Sequence, residues 1–62
     1  MNITKLKEYA KSNNVTVVKR GTQYEIYHND NPSEIETCQD KSDILNKIHS
    51  SIYYAKAGVL FN

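Results

Sequence analysis

The chain has 62 residues, 39% of them hydrophobic, and a formal net charge of +1 at pH 7. This length predicts a single small domain spanning residues 1–62, of marginal stability because so short a chain buries only about 60% of its unfolded surface. Cys38 is the only cysteine, which excludes an intrachain disulfide, and no apolar run approaches the roughly 20 residues of a membrane helix. We expect a cytoplasmic protein, because a lone cysteine without an N-terminal signal peptide fits a reducing compartment.

The near-neutral total charge hides a separation of charge along the chain. Residues 21–40 hold five acidic residues and no Lys or Arg, whereas residues 1–20 hold five Lys or Arg against one Glu. Residues 41–62 are again basic, with three Lys against one Asp. Such segregation produces local potentials that steer charged partners, so the acidic middle segment is the first candidate for function.

The chain opens with a predicted amphipathic helix, in which Ile3, Leu6 and Ala10 form an apolar stripe at helical spacing. Asn2 or Thr4 can serve as its N-cap. The polar run at residues 12–14 ends the helix, because Ser and Asn side chains compete for backbone hydrogen bonds.

A β-hairpin follows. The β-branched run Val15–Arg20 predicts the first strand, Gly21 a turn residue with positive φ, and residues 22–28 the second strand. Alternation in the second strand places Tyr24, Ile26 and His28 on one face. Its other face carries Gln23, Glu25 and Tyr27.

Residues 29–33, which contain Pro32, form a loop, and residues 34–38 are a predicted third strand. We expect Ile35 and Thr37 to face the core and the alternate residues to point outward: Glu34, Glu36 and Cys38.

The last element is a second amphipathic helix that starts at the N-cap Asp40 and ends at Gly58, a natural residue for a helix C-terminus. Its apolar stripe is Ile44, Leu45, Ile48, Ile52 and Ala55. The apolar tail at residues 59–61 is expected to fold back onto the core. The predicted architecture is therefore an α+β fold of order αβββα, a three-stranded antiparallel sheet with two helices packed on one face.

The sequence contains no arrangement of residues that is typical of a catalytic site. His28 and His49 lie on different predicted elements, and together with Cys38 they do not match the ligand spacing of a metal site. The chain has only two glycines and no Gly-rich phosphate loop. We therefore predict a non-enzymatic protein without metal or cofactor.

The acidic residues suggest a partner-binding face. If the third strand pairs with the second, Glu25, Glu34 and Glu36 lie together around Tyr27, with Asp30 and Asp40 at the ends. A row of carboxylates at strand spacing can present charge to a basic groove much as a phosphate backbone does. The same carboxylates would also keep an exposed sheet soluble, which is the simpler interpretation.

The alternative prediction is a small nucleic-acid-binding regulator. Its contacts would come from the basic residues of the first helix and hairpin: Lys5, Lys7, Lys11, Lys19 and Arg20. The order αβββα and the first helix resemble the double-stranded RNA-binding domain. That family grips phosphates with Lys residues at the start of its last helix, whereas the corresponding residues 40–43 here include two Asp.

The N-terminal third carries a second resemblance, at Met1, Asn2, Ile3, Leu6, Lys11, Thr16, Val17, Gly21 and Thr22. These positions are similar, without a gap, to a small phage anti-CRISPR protein of the type II class. The resemblance implies an αβββα fold, acid-rich loops and inhibition of an RNA-guided nuclease by occupation of its DNA-binding groove. We therefore expect a phage or mobile-element protein that inhibits a host DNA-targeting protein, as a monomer or homodimer.

Overall fold

Two helices and a three-stranded antiparallel sheet follow one another in the order αβββα, which confirms the predicted α+β architecture. The computed structural model describes the backbone of residues 2–61 and the side chains of residues 2–57. The elements are α1 (Ile3–Ser12), β1 (Val15–Arg20), β2 (Gln23–His28), β3 (Glu36–Cys38), a 3₁₀ turn (Lys41–Asp43) and α2 (Ile44–Phe61).

Helix α1 begins and ends where its polar residues predict. The side chain of the N-cap Asn2 accepts a hydrogen bond from the backbone N–H of Lys5 at 2.9 Å, which satisfies one of the free donors of the first turn. At the other end Ser12 Oγ donates to the carbonyl of Tyr9, and Asn14 adopts a left-handed φ of 62°. Asn tolerates this conformation better than most residues, so the chain reverses there into β1.

Strands β1 and β2 form the predicted hairpin. Arg20 pairs with Gln23, so the turn contains only Gly21 and Thr22. Gly21 has a φ of +62°, and a glycine with positive φ at the first central position is typical of a type II′ turn. The register places Val17 opposite Ile26 on the face toward the helices, as the alternation of β2 predicts.

The faces of β3 differ from the prediction, and the strand starts at Glu36 rather than Glu34. Glu36 pairs with the fully buried Ile26 and Cys38 with Tyr24, so both lie on the helix-facing side of the sheet. Thr37 pairs with Glu25 on the open side. Predicting Glu36 and Cys38 outward was therefore wrong. A one-residue difference in assignment reverses both faces of a strand, and Ile35, which suggested an inward position, precedes the paired segment.

One hydrophobic cluster joins both helices to the sheet. Its buried members are Leu6, Ala10, Val15, Val17, Ile26, Ile44 and Ile48. These residues come from α1, β1, β2 and α2, and Ile3, Leu45 and Cys38 pack against them. Both helices therefore cover the same face of the sheet and leave the other face open, as predicted.

Helix α2 starts after a 3₁₀ turn whose N-cap, Asp40, makes no side-chain capping hydrogen bond. The helix runs through Gly58 to Phe61, so the prediction that it ends at Gly58 was wrong. Glycine lowers helix stability by only about 1 kcal/mol and does not by itself terminate a helix. The predicted packing of the side chains at 59–61 lies outside the described residues. In the described part of the chain, neither helix has the length and apolar content needed to cross a bilayer.

Candidate partner-binding surface

The open face of the sheet does not gather the carboxylates that were predicted around Tyr27. Glu25 and Tyr27 lie there on β2, while Glu36 lies on the opposite face and Glu34 precedes β3. Arg20 Nε donates to Glu25 Oε1 at 2.8 Å, and this ion pair offsets the one carboxylate of that face. Of the two glutamates within the strands, Glu25 therefore lies on the open face and Glu36 on the helix-facing side.

Four acidic residues instead lie in β3 and in the segments on either side of it. Because the strand order is β1-β2-β3, β3 is an outer strand; Glu36 lies in it, Glu34 and Asp40 lie just before and after it, and Asp30 lies in the turn after β2. We define the acidic edge as Asp30, Glu34, Glu36 and Asp40. Glu36 is half-buried and the other three are exposed, and residues 29–40 contain no Lys or Arg. Charges along an outer strand also prevent edge-to-edge aggregation, so this arrangement satisfies two demands.

The Asp30 end of this edge is held by a network of hydrogen bonds. Asn14 Nδ2 donates to Asp30 Oδ2 at 3.1 Å, and the backbone N–H of Asp30 donates to His28 Nδ1 at 3.1 Å. Asn29 adds two bonds to Asn14, one through its backbone N–H and one through its side-chain amide. The network ties the turn after β2 to the turn before β1, so Asp30 is presented from an ordered position.

A cleft of about 260 Å³ lies at the other side of the loop, between the start of β3 and the middle of α2. It is lined by Glu34, Ile35, Glu36, Ser51 and Tyr54. Two of the lining residues are large hydrophobic side chains that remain exposed to solvent, Ile35 at 50% and Tyr54 at 54%. The sequence predicted Glu34 and Glu36 as binding residues. It did not predict that Ser51, Ile35 and Tyr54 line the same cleft.

The cleft also contains a buried serine, Ser51. It is only 4% exposed, and its Oγ has no hydrogen-bond partner among the described residues. A buried hydroxyl without a partner costs about 1–3 kcal/mol, and native proteins pair almost all such groups. Ser51 lies four residues before Ala55, so the sequence places it on the apolar stripe of the helix. A serine at such a position does not by itself predict a cleft.

The basic residues of the alternative prediction are exposed but are not held as one group. Lys5, Lys7 and Lys11 lie on α1, where Lys7 and Lys11 are one turn apart and Lys5 faces another direction. Lys19 Nζ lies 5.8 Å from the centre of the Tyr24 ring, a cation–π distance, and Arg20 is paired with Glu25. Nucleic-acid binding by these five residues stays a prediction.

The exposed aromatic residues lie mainly on the helices. Tyr9 on α1 and His49 on α2 form a hydrogen bond of 3.2 Å between Oη and Nε2, with the rings edge to face. Tyr53 and Tyr54 are both exposed and stack edge to face, with ring centres 5.6 Å apart. The first pair joins the helices outside the core, and the second places an aromatic surface beside the acidic cleft.

The residues that could support catalysis are separated. Burial, followed by the negative charges of Asp43 and Asp40, raises the pKa of the Cys38 thiol, and Lys47 offsets this only in part. A raised pKa reduces the fraction of nucleophilic thiolate. Within the described residues, His, Cys, Asp and Glu side chains form no group of three or more that could hold a metal ion.

The geometry therefore offers an acidic edge with one small acidic cleft as the candidate surface. Neither a protein-family model nor a curated protein nor a solved structure matches this chain.

Proposed function

We propose that the chain is a non-enzymatic protein-binding module that docks through its acidic edge onto a basic surface of another protein. The observation that carries this proposal is that residues 29–40, which contain no Lys or Arg, include the outer strand β3 and the two segments that flank it. Complementary charge across an interface accelerates encounter and selects against partners of the wrong charge.

The edge has features of a docking surface as well as of a solubilising one. Asp30 is fixed by hydrogen bonds from Asn14 and from its own backbone to His28, which lowers the entropy lost on binding. Tyr54 and Ile35 add exposed apolar area next to Glu34. Aromatic residues are enriched in protein interfaces, whereas a surface that only maintains solubility does not need them.

The partner class that this charge fits is a DNA-targeting host protein whose nucleic-acid groove is basic. Occupation of that groove by carboxylates would exclude phosphates and inhibit the enzyme in the host cytoplasm. The resemblance of residues 1–22 to a type II anti-CRISPR protein supports an RNA-guided nuclease as the first partner to test. A phage or another mobile element would benefit from such an inhibitor.

The test measures binding of the purified chain to a type II RNA-guided nuclease loaded with its guide RNA, by biolayer interferometry. We expect binding that weakens as salt rises and that target DNA displaces. Glu34→Lys should weaken it at least about tenfold, because the change reverses a charge on the docking edge. Glu8→Lys on the exposed surface of α1 is the matched control and should leave affinity unchanged.

Equal effects of Glu34→Lys and Glu8→Lys would contradict docking through the acidic edge. Salt-sensitive binding of DNA or RNA by the chain alone, lost on Lys7→Glu, would instead favour the nucleic-acid-binding alternative. Circular dichroism of each variant confirms that the fold persists.

A further inference from the structure

The cleft between β3 and α2 has the size and lining of a site for one side chain. Its volume of about 260 Å³ is below the range of roughly 300–1,000 Å³ that holds drug-sized ligands. The lining combines two carboxylates, a hydroxyl, an aromatic ring and an aliphatic side chain, namely Glu34, Glu36, Ser51, Tyr54 and Ile35.

The negative charges of the cleft favour a positively charged ligand. Glu34 and Glu36 both line it, and among the described residues neither forms an ion pair with a Lys, Arg or His side chain. Arg20, by contrast, already pairs with Glu25 on the open face. A positive charge bound in this cleft would be attracted by both carboxylates.

Ser51 independently indicates a polar ligand. Its side chain is buried, lines the cleft, and has an Oγ without a hydrogen-bond partner among the described residues. Native proteins rarely leave such a group unpaired, and a donor that enters the cleft would pair with the hydroxyl once its side chain rotates toward the cleft. The observation does not depend on the acidic residues and points to the same place.

The uncharged side chains that line the cleft favour one kind of cation over another. A guanidinium is planar, presents five N–H donors and stacks on aromatic rings, whereas an ammonium is a compact and strongly hydrated point charge. The exposed ring of Tyr54 offers a stacking surface, and Ile35 offers apolar contact to a methylene stem. We propose that this cleft binds the guanidinium side chain of an arginine presented by the partner protein, an inference that rests on the proposed function.

The first experiment needs no partner. The ¹⁵N-labelled chain is titrated with N-acetyl-arginine N-methylamide, and its amide resonances are followed by NMR. We expect saturable shifts centred on Ile35, Glu36 and Ser51. The matched control is the citrulline derivative, which keeps the shape and removes the charge, and it should cause no saturable shift. The lysine derivative should bind at least roughly threefold more weakly.

Variants then separate binding from folding. Glu36→Gln should weaken the arginine derivative about tenfold, because a charge-assisted hydrogen bond is lost, while Glu8→Gln has no effect. Ser51→Ala should weaken binding without lowering the thermal midpoint, since it removes a buried hydroxyl that has no partner in the free protein. The control Ser50→Ala, one residue away on α2, should leave affinity unchanged.

Equal binding of the arginine and citrulline derivatives would overturn the proposal, as would tighter binding of lysine or an unchanged affinity in Ser51→Ala. The outcome is distinguishable from that of the proposed function. If the arginine derivative binds in the cleft while the nuclease does not bind, the cleft assignment stands and the assigned partner is wrong. If the nuclease binds through Glu34 but the arginine derivative does not bind, the cleft assignment is wrong and edge docking stands.

Discussion

At the scale of single residues, Cys38 shows how the position of a side chain determines its chemistry. The sequence leaves open whether a lone cysteine is a nucleophile. The register with Tyr24 places it against the core, where burial raises its pKa, and Asp43 and Asp40 raise it further. The raised pKa therefore keeps the Cys38 thiol protonated at neutral pH.

We predict that Cys38 reacts more slowly with iodoacetamide in the folded chain than in urea, because less of it is thiolate. Asp43→Asn should accelerate the reaction by removing a charge that raises the pKa, whereas the distant Asp30→Asn should not. Mass spectrometry of the alkylated fraction over time gives both rates. An unchanged rate for Asp43→Asn would contradict the electrostatic contribution.

The same raised pKa predicts a pH dependence of stability. Above pH 9.0, the ordinary pKa of a cysteine thiol, the unfolded thiol loses its proton before the folded one, so the folded state holds more protons. The contribution to the free energy of unfolding is thus complete below pH 9.0 and is lost as pH rises through the folded pKa. Urea denaturation on either side of pH 9.0 should show a smaller decrease in Cys38→Ser than in the parent chain.

At the scale of elements, the hairpin is the part most directly encoded by local sequence. The two-residue turn requires positive φ at Gly21, and the strands on both sides alternate regularly. The bounds of β1 and the faces of β2 could be predicted for this reason, whereas β2 starts at Gln23, one residue later than predicted. The short strand β3 could not, because three paired residues carry too little pattern to identify their faces.

Gly21→Ala should lower the free energy of unfolding by about 1 kcal/mol, since an L-residue with a side chain disfavours left-handed φ. No atom lies within 4 Å of an added Cβ, so the cost is backbone strain rather than a clash. Chemical denaturation measures it, with Thr22→Ala in the same turn as the control. A change in the control as large as in Gly21→Ala would show that the φ of Gly21 is not the cause.

At the scale of the whole molecule, stability depends on one small core under a half-open sheet. Ile26 sits at its centre, fully buried on the middle strand between β1 and β3, with Ile44 and Ile48 of α2 in the same cluster. At about 0.05–0.15 kcal/mol per residue, a chain of this length has on the order of 3–9 kcal/mol of total stability. A single large cavity therefore removes much of it.

Ile26→Ala should destabilise by about 2–5 kcal/mol, whereas Ile35→Ala, the same change at an exposed position, should stay within about 0.5 kcal/mol. Thermal denaturation followed by circular dichroism compares the two. If Ile26→Ala does not fold, Ile26→Val with an expected loss of about 0.5–1.5 kcal/mol provides the measurement. Equal losses at both positions would contradict the assigned core.

Local sequence patterns predicted the order of elements, the hairpin with its turn residue Gly21 and the apolar stripes of both helices, and they limited the N-cap of α1 to Asn2 or Thr4. These features follow from rules that act within a few residues, namely capping, turn conformation and side-chain periodicity. The acidic character of residues 21–40 was also evident, because it needs only a count of charges.

Where that charge lies on the molecule depends on the pairing and packing of the elements. Pairing of Glu36 with Ile26 placed this carboxylate on the helix-facing side of the outer strand β3, and packing of α2 beside β3 brought Ser51 and Tyr54 to Glu34 and Glu36. Local rules cannot supply this result, because strand register and helix docking are fixed by contacts between residues far apart in the chain.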